Sequence, residues 1–136
     1  MTLIHDVVLV TGIYALLGHI FGLQVNSVFI VALLTVIGYS VNDTIVIFDR
    51  IRENQIKFPD NKYSSNINIS INESIIRSLG TSITTLLVLF SMLILGGSTL
   101  REFIVVLILG VVVGTYSSIF IASQFLIIWE EGIKKD

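Results

Sequence analysis

The sequence predicts an all-α polytopic membrane protein with four transmembrane helices arranged as two antiparallel hairpins. Hydrophobic residues occupy 54% of the 136 positions and charged residues only 13%, against about 25% charged residues in an ordinary soluble domain. The mean hydropathy is +0.91. The charges are clustered and leave four long apolar runs, at 3–23, 28–48, 78–95 and 103–129. Each run is long enough to cross a hydrocarbon core of about 30 Å at about 1.5 Å per residue.

The first hairpin comprises the runs 3–23 and 28–48, joined by a short uncharged turn from Gln24 to Ser27. A cleaved signal peptide is the alternative for the first run. However, His5 and Asp6 stand where a signal peptide carries basic residues, and no clear cleavage site of small residues follows. We therefore expect two spanning helices, which a turn this short makes antiparallel neighbours.

The connection between the hairpins, residues 49–77, contains the only proline, Pro59, and many Asn and Ser residues. This composition is typical of a flexible loop. Its two ends have helical features. The charged residues from Asp49 to Glu53 are spaced to extend the second helix, and Ser70 with Glu73 matches a capping box at the start of a helix.

The second hairpin comprises the runs 78–95 and 103–129, followed by a short charged tail at 130–136. Two glycine pairs at spacing four, Gly18 with Gly22 and Gly110 with Gly114, are of the kind that lets helix backbones approach closely in lipid. We interpret both pairs as packing positions.

The distribution of basic residues predicts the orientation of the chain. Five of the eight Lys and Arg residues lie in the 49–77 connection and two lie in the tail. Basic residues in short loops stay on the cytoplasmic side of the membrane. The long connection and the C-terminus are therefore expected in the cytoplasm, with only Arg101 on the outside.

Asp43 is the leading candidate for a functional residue, because a charged group in hydrocarbon costs about 2.5 to 3.5 kcal/mol on insertion scales. On a helix, Tyr39 and Ser40 share the face of Asp43, and Asn42 precedes it. Counting from the first turn, Asp6 and Asp43 fall at the same level, roughly 28 Å below that turn. Counting from the second turn, Thr81 and Thr115 fall close to this level, about 26 Å below.

These positions predict a polar layer in the inner part of the bilayer. Its other hydroxyl residues are expected to be Ser78, Ser82, Thr84, Thr85, Tyr116, Ser117 and Ser118. A carboxyl group held in such surroundings can bind and release a proton at ordinary pH. The alternative is that the hydroxyls only bind backbone carbonyls and hold the helices together. Arg77, at the inner end of the third helix, is either a counter-charge for Asp43 or a side chain that reaches lipid phosphate.

Several other chemistries are not supported. With no cysteine there is no disulfide, thiolate or Cys-based metal site. The sequence contains no zinc-protease, serine-hydrolase or phosphate-loop motif. We predict no cofactor, no metal site, no nucleic-acid partner and no enzymatic activity.

The stretch from Leu33 to Asn54, with its Gly38-Tyr39-Ser40-Val41-Asn42-Asp43-Thr44 core, closely resembles the signature of the SecD/SecF family of bacterial protein-export membrane proteins. Further similar segments are His5-Asp6-Val7, Asn72 to Arg77, Ser82 to Leu86 and Gly114 to Ser123. The resemblance covers nearly the whole chain. It implies the C-terminal transmembrane half of a SecF-like subunit, which is part of an RND-like membrane domain in the bacterial cytoplasmic membrane.

The resemblance also implies a role. Asp43 matches the proton-carrying aspartate of the family, and Arg77 matches the arginine that interacts with it. The expected partners are SecD, the Sec translocon and the exported polypeptide, the last through parts absent from this sequence. A full member has two more helices and an extracytoplasmic domain before this region, so the sequence is expected to be a fragment or a split gene product. A non-conducting helical scaffold and a related proton-coupled exporter remain alternatives.

Overall fold

The computed structural model describes residues 2–121 and 124–128. Within these residues, four helices are long and apolar enough to cross a membrane. They are α1 (Thr2–Phe21), α2 (Ser27–Lys57), α3 (Tyr63–Leu95) and α4 (Ser98–Tyr116), the last continued by a π-helix (Ser117–Ile121) and helical residues 124–128. The predicted all-α membrane fold is thus confirmed. The predicted tail, 130–136, lies outside the described residues.

Short turns at one end of the bundle make each predicted hairpin. We call this end, with residues 22–26 and 96–97, the turn end, and the opposite end, with residues 58–62, the connection end. Gly22 closes α1 with a φ of 71°, a conformation that glycine adopts without strain, and its N–H donates to the Gly18 carbonyl at 2.8 Å. Asn26 then caps α2 by accepting from the Phe29 N–H at 3.0 Å.

The four helices are arranged around a central pair, α2 and α4, which run parallel and share the most extensive contact of the bundle. α1 and α3 each pack on both central helices. A Cβ at Gly110 would collide with the Val36 side chain, and one at Gly114 would meet the Cβ of Ser40 at 3.4 Å. One turn further, the Thr44 hydroxyl lies 2.9 Å from that of Ser118. The glycine pair on α4 therefore provides the close helix contact that its spacing predicts.

The connection between the hairpins differs from the flexible loop expected over 49–77. α2 continues to Lys57 and α3 already begins at Tyr63, so only residues 58–62 connect them. At about 1.5 Å per residue these helices are roughly 46 and 50 Å long, well beyond the hydrocarbon thickness.

An apolar cluster at the connection end explains the extra helical residues of α2 and α3. Ile47, Ile51, Ile67 and Ile119 are buried against one another, and the amide of Asn54 donates to the Ser70 hydroxyl at 2.9 Å. Ser70 does not cap a helix, because it lies inside α3 and its hydroxyl donates to the Asn66 carbonyl at 2.7 Å. Asn and Ser residues of this segment thus satisfy each other between two packed helices.

The contact of Gly110 with Val36 gives a stability prediction. We expect Gly110→Ala to lower the free energy of unfolding by about 1 to 3 kcal/mol, as overpacking does. Gly12→Ala is the matched control, since a Cβ there meets nothing within 4 Å. Unfolding in mixed micelles measures both changes, and Val36→Ala should restore stability to the Gly110→Ala chain. Equal effects at the two glycines would contradict the close α2–α4 contact.

Candidate functional site

The carboxyl group of Asp43 lies between α2 and α3 and is 8% exposed. The hydroxyl of Ser78 donates to its Oδ1 at 2.9 Å. Oδ2 is also buried, and it has no hydrogen-bond partner among the described residues. The Ser118 hydroxyl lies near the carboxyl, but its 2.9 Å hydrogen bond is with Thr44. One carboxylate oxygen is therefore buried without a hydrogen bond in the described part of the chain.

A small cavity borders this carboxyl. Its volume is about 90 Å³ and its walls come from α2 and α3: Tyr39, Asn42, Asp43, Val46, Arg77, Ser78 and Thr81. Liquid water occupies about 30 Å³ per molecule, so the cavity has room for a few water molecules beside the carboxyl. Asn42 and Arg77, both predicted site residues, thus line the cavity beside the Asp43 carboxyl.

A larger cavity of about 450 Å³ continues toward the connection end. It is lined by Val46, Asp49, Arg50, Glu53, Glu73, Ser74 and Arg77. Val46 and Arg77 line both cavities. The route from Asp43 to this end of the bundle is therefore bordered by polar and charged side chains, with Arg77 where the two cavities meet.

Ion pairs hold the outer part of this route in place. Arg50 donates to Glu73 at 2.9 Å and to Glu53 at 2.6 Å, and Lys57 lies 2.7 Å from Glu53. The buried amide of Asn54 also donates to Glu73, at 2.8 Å. Exposed ion pairs contribute little stability singly, so the structural role here falls mainly on the buried Asn54.

Asp6 is the second buried carboxyl and lies on a different side of α2. It is 1% exposed; Ser40 donates to its Oδ2 at 2.5 Å, and the His5 ring lies 3.2 Å from its Oδ1. Ser40 is within one helical turn of Asp43, so the two acids have similar depth, as the sequence predicts. They do not converge, because Asp6 belongs to the contact of α1 with α2 while Asp43 faces α3.

The hydroxyl residues predicted for the polar layer differ in the partners that they bind. Tyr39, Ser82 and Thr115 are hydrogen-bonded to one another across three helices. Ser117 is buried, but its hydroxyl donates to the backbone carbonyl of Gly114, one turn back. The Thr81 hydroxyl likewise donates to the backbone carbonyl of Ser78 on its own helix.

The remaining members lie outside the layer. Thr84 and Thr85 donate to carbonyls one turn back on α3. Tyr116 is 55% exposed and packs on Phe120, with ring centroids 5.3 Å apart. A hydroxyl that bonds its own backbone can face lipid, and sequence depth alone does not separate this case from a bond between helices.

The serines of α3 carried a signal that the sequence analysis did not use. Ser70, Ser74, Ser78 and Ser82 recur at spacing four and are all buried. Residues four apart share one face of a helix. This spacing predicts the face of α3 that packs on α2, and with it Ser78 as the hydrogen-bond donor to Asp43.

Comparison with known proteins places the chain in a family. Residues 1–132 match the family model described as protein export membrane protein SecD/SecF, C-terminal. The chain belongs to the SecD/SecF family. The resemblance noted in the sequence is therefore confirmed.

Several SecD/SecF relatives are similar over most of this chain. It is 47% identical to protein translocase subunit SecF of Thermobaculum terrenum, over 96% of the chain and 41% of the relative. It is 50% identical to SecF of Petrotoga mobilis, over 93% and 41%. For protein translocase subunit SecDF of Thermus thermophilus the identity is 47%, over 93% and 17%. The chain thus spans about two fifths of the SecF relatives.

The fold of a solved family member is also similar. A crystal structure of SecDF in a super-membrane-facing form matches 98% of this chain and 18% of its own, with a TM-score of 0.84 and 42% sequence identity. The SecD/SecF membership and the four apolar helices together make this a multi-pass membrane protein.

The hydrogen bond from Ser40 to Asp6 gives a second stability prediction. Ser40→Ala removes the donor and leaves a buried carboxyl with only the His5 ring as a partner, which should cost about 1 to 3 kcal/mol of unfolding free energy. The control is Ser91→Ala, because the exposed Ser91 hydroxyl donates only to the Leu87 carbonyl of its own helix. That change should stay within about 0.5 kcal/mol. Similar losses for both serines in mixed-micelle unfolding would refute the role of the Ser40 bond.

Proposed function

We propose that this chain is part of a membrane subunit of the Sec protein-export machinery and uses proton flow to assist the translocation of exported polypeptides. The family and the names of the relatives support the export role. The observation that supports proton coupling is the buried Asp43 carboxyl, with one oxygen unpaired beside a cavity that Arg77 also lines.

In this proposal Asp43 is the group that binds and releases the proton. An ionised carboxyl in a low-dielectric site is costly unless it is paired, and protonation removes that cost. Ser78 donates to one oxygen, and the other has no hydrogen-bond partner among the described residues. The membrane potential supplies about 2.3 kcal/mol per charge per 100 mV. This is enough for each proton to bias a helix packing equilibrium.

Arg77 acts as the counter-charge in this proposal. It lies next in sequence to Ser78 and borders both cavities. A guanidinium group near a carboxyl favours its charged form. Movement of Arg77 toward the connection end would then favour proton uptake, and its return would favour proton release. Asn42 borders the same cavity, where its amide can donate a hydrogen bond to the carboxyl or to a water molecule. Asp6 supports α2 from the opposite side through Ser40.

The proposed partners are SecD, the Sec translocon and the exported polypeptide. One relative and the similar crystal structure both carry the name SecDF, which supports a SecD-type partner for this chain. A scaffold that docks a partner through its glycine faces is less well supported. Gly110 and Gly114 are covered by Val36 and Ser40 within the chain itself.

Substitution of Asp43 tests the proton role. In vesicles that hold residues 1–136 within a complete SecF-type subunit, with SecD and the translocon, Asp43→Asn should abolish the stimulation of export by a proton gradient. The amide keeps the shape and the Ser78 contact but cannot carry a proton. Asp60→Asn, at the exposed connection end, should leave stimulation unchanged. An Asp43→Asn subunit that is still stimulated, and still sensitive to an uncoupler, rejects the mechanism.

Location and sidedness form a further proposal: a bacterial cytoplasmic membrane, with the connection end and the C-terminus inside. The chain has no cysteine of its own, so single cysteines report position directly. A membrane-impermeant maleimide should label Asp60→Cys only from the cytoplasmic side and Gln24→Cys only from the outside. The reverse pattern would refute the orientation predicted from the basic residues.

A further inference from the structure

Three hydroxyl groups form a continuous chain on the side of Asp43 that faces the turn end. The Tyr39 hydroxyl lies 3.0 Å from that of Ser82, which lies 2.5 Å from that of Thr115. Thr115 also donates to the Val111 carbonyl at 2.8 Å. The chain thus joins α2, α3 and α4. Tyr39 itself lines the Asp43 cavity.

The direction of every hydrogen in this chain follows from its last bond. A hydroxyl has one hydrogen to donate, and Thr115 has two acceptors within reach, the Val111 carbonyl and the Ser82 hydroxyl. When Thr115 donates to the carbonyl, Ser82 donates to Thr115 and Tyr39 donates to Ser82. In that arrangement the Tyr39 oxygen, on a residue that lines the Asp43 cavity, has only lone pairs left for a further bond. It can accept a hydrogen bond there from a protonated carboxyl or from a water molecule, and it cannot donate to a charged one.

We propose that Tyr39, Ser82 and Thr115 are positioning residues that form a reversible hydroxyl chain, whose direction follows the protonation state of Asp43. This inference rests on the proposed function of Asp43. With Asp43 protonated, the hydroxyl chain points toward the Val111 carbonyl. With Asp43 charged, the three hydroxyls rotate. Thr115 then donates to Ser82, Ser82 donates to Tyr39, and Tyr39 donates into the cavity.

Reversal breaks no covalent bond and moves no heavy atom, since each hydroxyl turns about its own C–O bond. The cost falls on α4. The Val111 carbonyl loses the Thr115 hydroxyl and keeps its bond within the helix. This part of α4 packs among Leu89, Ile104 and neighbouring apolar side chains, so water cannot replace the lost bond. The chain thereby carries the state of a carboxyl on α2 to the backbone of α4.

The other charged groups around Asp43 are left in place by the substitutions that test this hydroxyl chain. Arg77 is the charged residue that faces the carboxyl cavity from α3. Among the described residues, α4 and the π-helix place the Ser118 hydroxyl near the carboxyl. Among those residues, they place no ionisable side chain there. The α1 acid Asp6 is bonded to Ser40, and Asp49, Arg50, Glu53 and Glu73 line the neighbouring cavity.

Two substitutions at Thr115 provide the test. Thr115→Val keeps the shape and removes the hydroxyl, so Ser82 loses its acceptor and can donate to Tyr39. The freed Tyr39 hydrogen can then stabilise the charged carboxyl even in the state adopted for proton binding. We expect the pH of half-maximal proton-driven export, in the vesicles described for Asp43, to fall by a few tenths to about one unit. Tyr39→Phe removes the hydroxyl that donates to the charged carboxyl, a stronger bond than the one it accepts from the protonated form, so it should shift this pH upward. Thr115→Ser keeps the hydroxyl and should retain the original pH profile, as should Ser91→Ala.

The outcomes separate this inference from the proposed function. If Asp43→Asn abolishes gradient-driven export but Thr115→Val and Tyr39→Phe keep the original half-maximal pH, the hydroxyl chain is rejected and the proton role of Asp43 stands. If Asp43→Asn has no effect on export, the proposed function is rejected.

A spectroscopic measurement then tests the hydroxyl chain directly. The ring C–O stretching band of a tyrosine reports whether its hydroxyl donates or accepts. In isotope-edited infrared spectra of the whole protein in lipid, the Tyr39 band should shift with pH. The Tyr39→Phe variant assigns this band. The shift should persist in Thr115→Ser and vanish in Thr115→Val. A Tyr39 band that stays the same across the titration, or one that still shifts in Thr115→Val, overturns the inference.

Discussion

Every polar group within the hydrocarbon thickness must find its partner inside the protein, because lipid tails offer none. This constraint sorts the polar side chains of the bundle. A serine or threonine can return its hydroxyl to its own helix and still face lipid, as Thr84 and Ser91 do. A carboxyl cannot, so Asp6 and Asp43 must each lie in a contact between helices that supplies a donor. The positions of Ser40 and Ser78 follow from this requirement.

The close approach of α2 to α4 makes these contacts possible. Gly110 and Gly114 leave space for Val36 and Ser40, and the next turn brings Thr44 to Ser118. With α2 held at this distance, α1 and α3 can both reach it from different sides. One face of α2 therefore presents Ser40 to Asp6, and another presents Asp43 to Ser78. A single helix thus serves two carboxyl sites that are close in depth and chemically separate.

The two carboxyl sites differ in how completely they are satisfied. Asp6 has a partner for each oxygen, whereas Asp43 has one oxygen without a hydrogen-bond partner in the described part of the chain. An incompletely satisfied buried group is costly, and such groups are concentrated at functional sites. The cavities beside Asp43 lead toward the connection end, and apart from Val46 the side chains that line them are polar or charged. Toward the turn end the Tyr39–Ser82–Thr115 hydroxyls are followed by the apolar cluster of Leu89, Ile104 and Val111. The proposed proton site thus has a polar side and a closed apolar side.

The sequence by itself determined the number of membrane helices, their order, the level of the two acids and the family. These properties depend on local hydrophobicity, on the number of residues from a turn and on a specific motif around Asp43. All three can be read from the linear sequence. The sequence did not determine that 49–57 and 63–77 are helical, because Asn and Ser residues favour a loop until a second helix supplies their partners, as Ser70 does for Asn54. Nor did it separate Tyr39, Ser82 and Thr115, which bond between helices, from Thr84, Thr85 and Tyr116. Only the tertiary structure decided which hydroxyls bond between helices. The depth of a residue depends on its distance along the helix, whereas the neighbour that its side chain meets depends on how the helix is rotated against the helices packed on it.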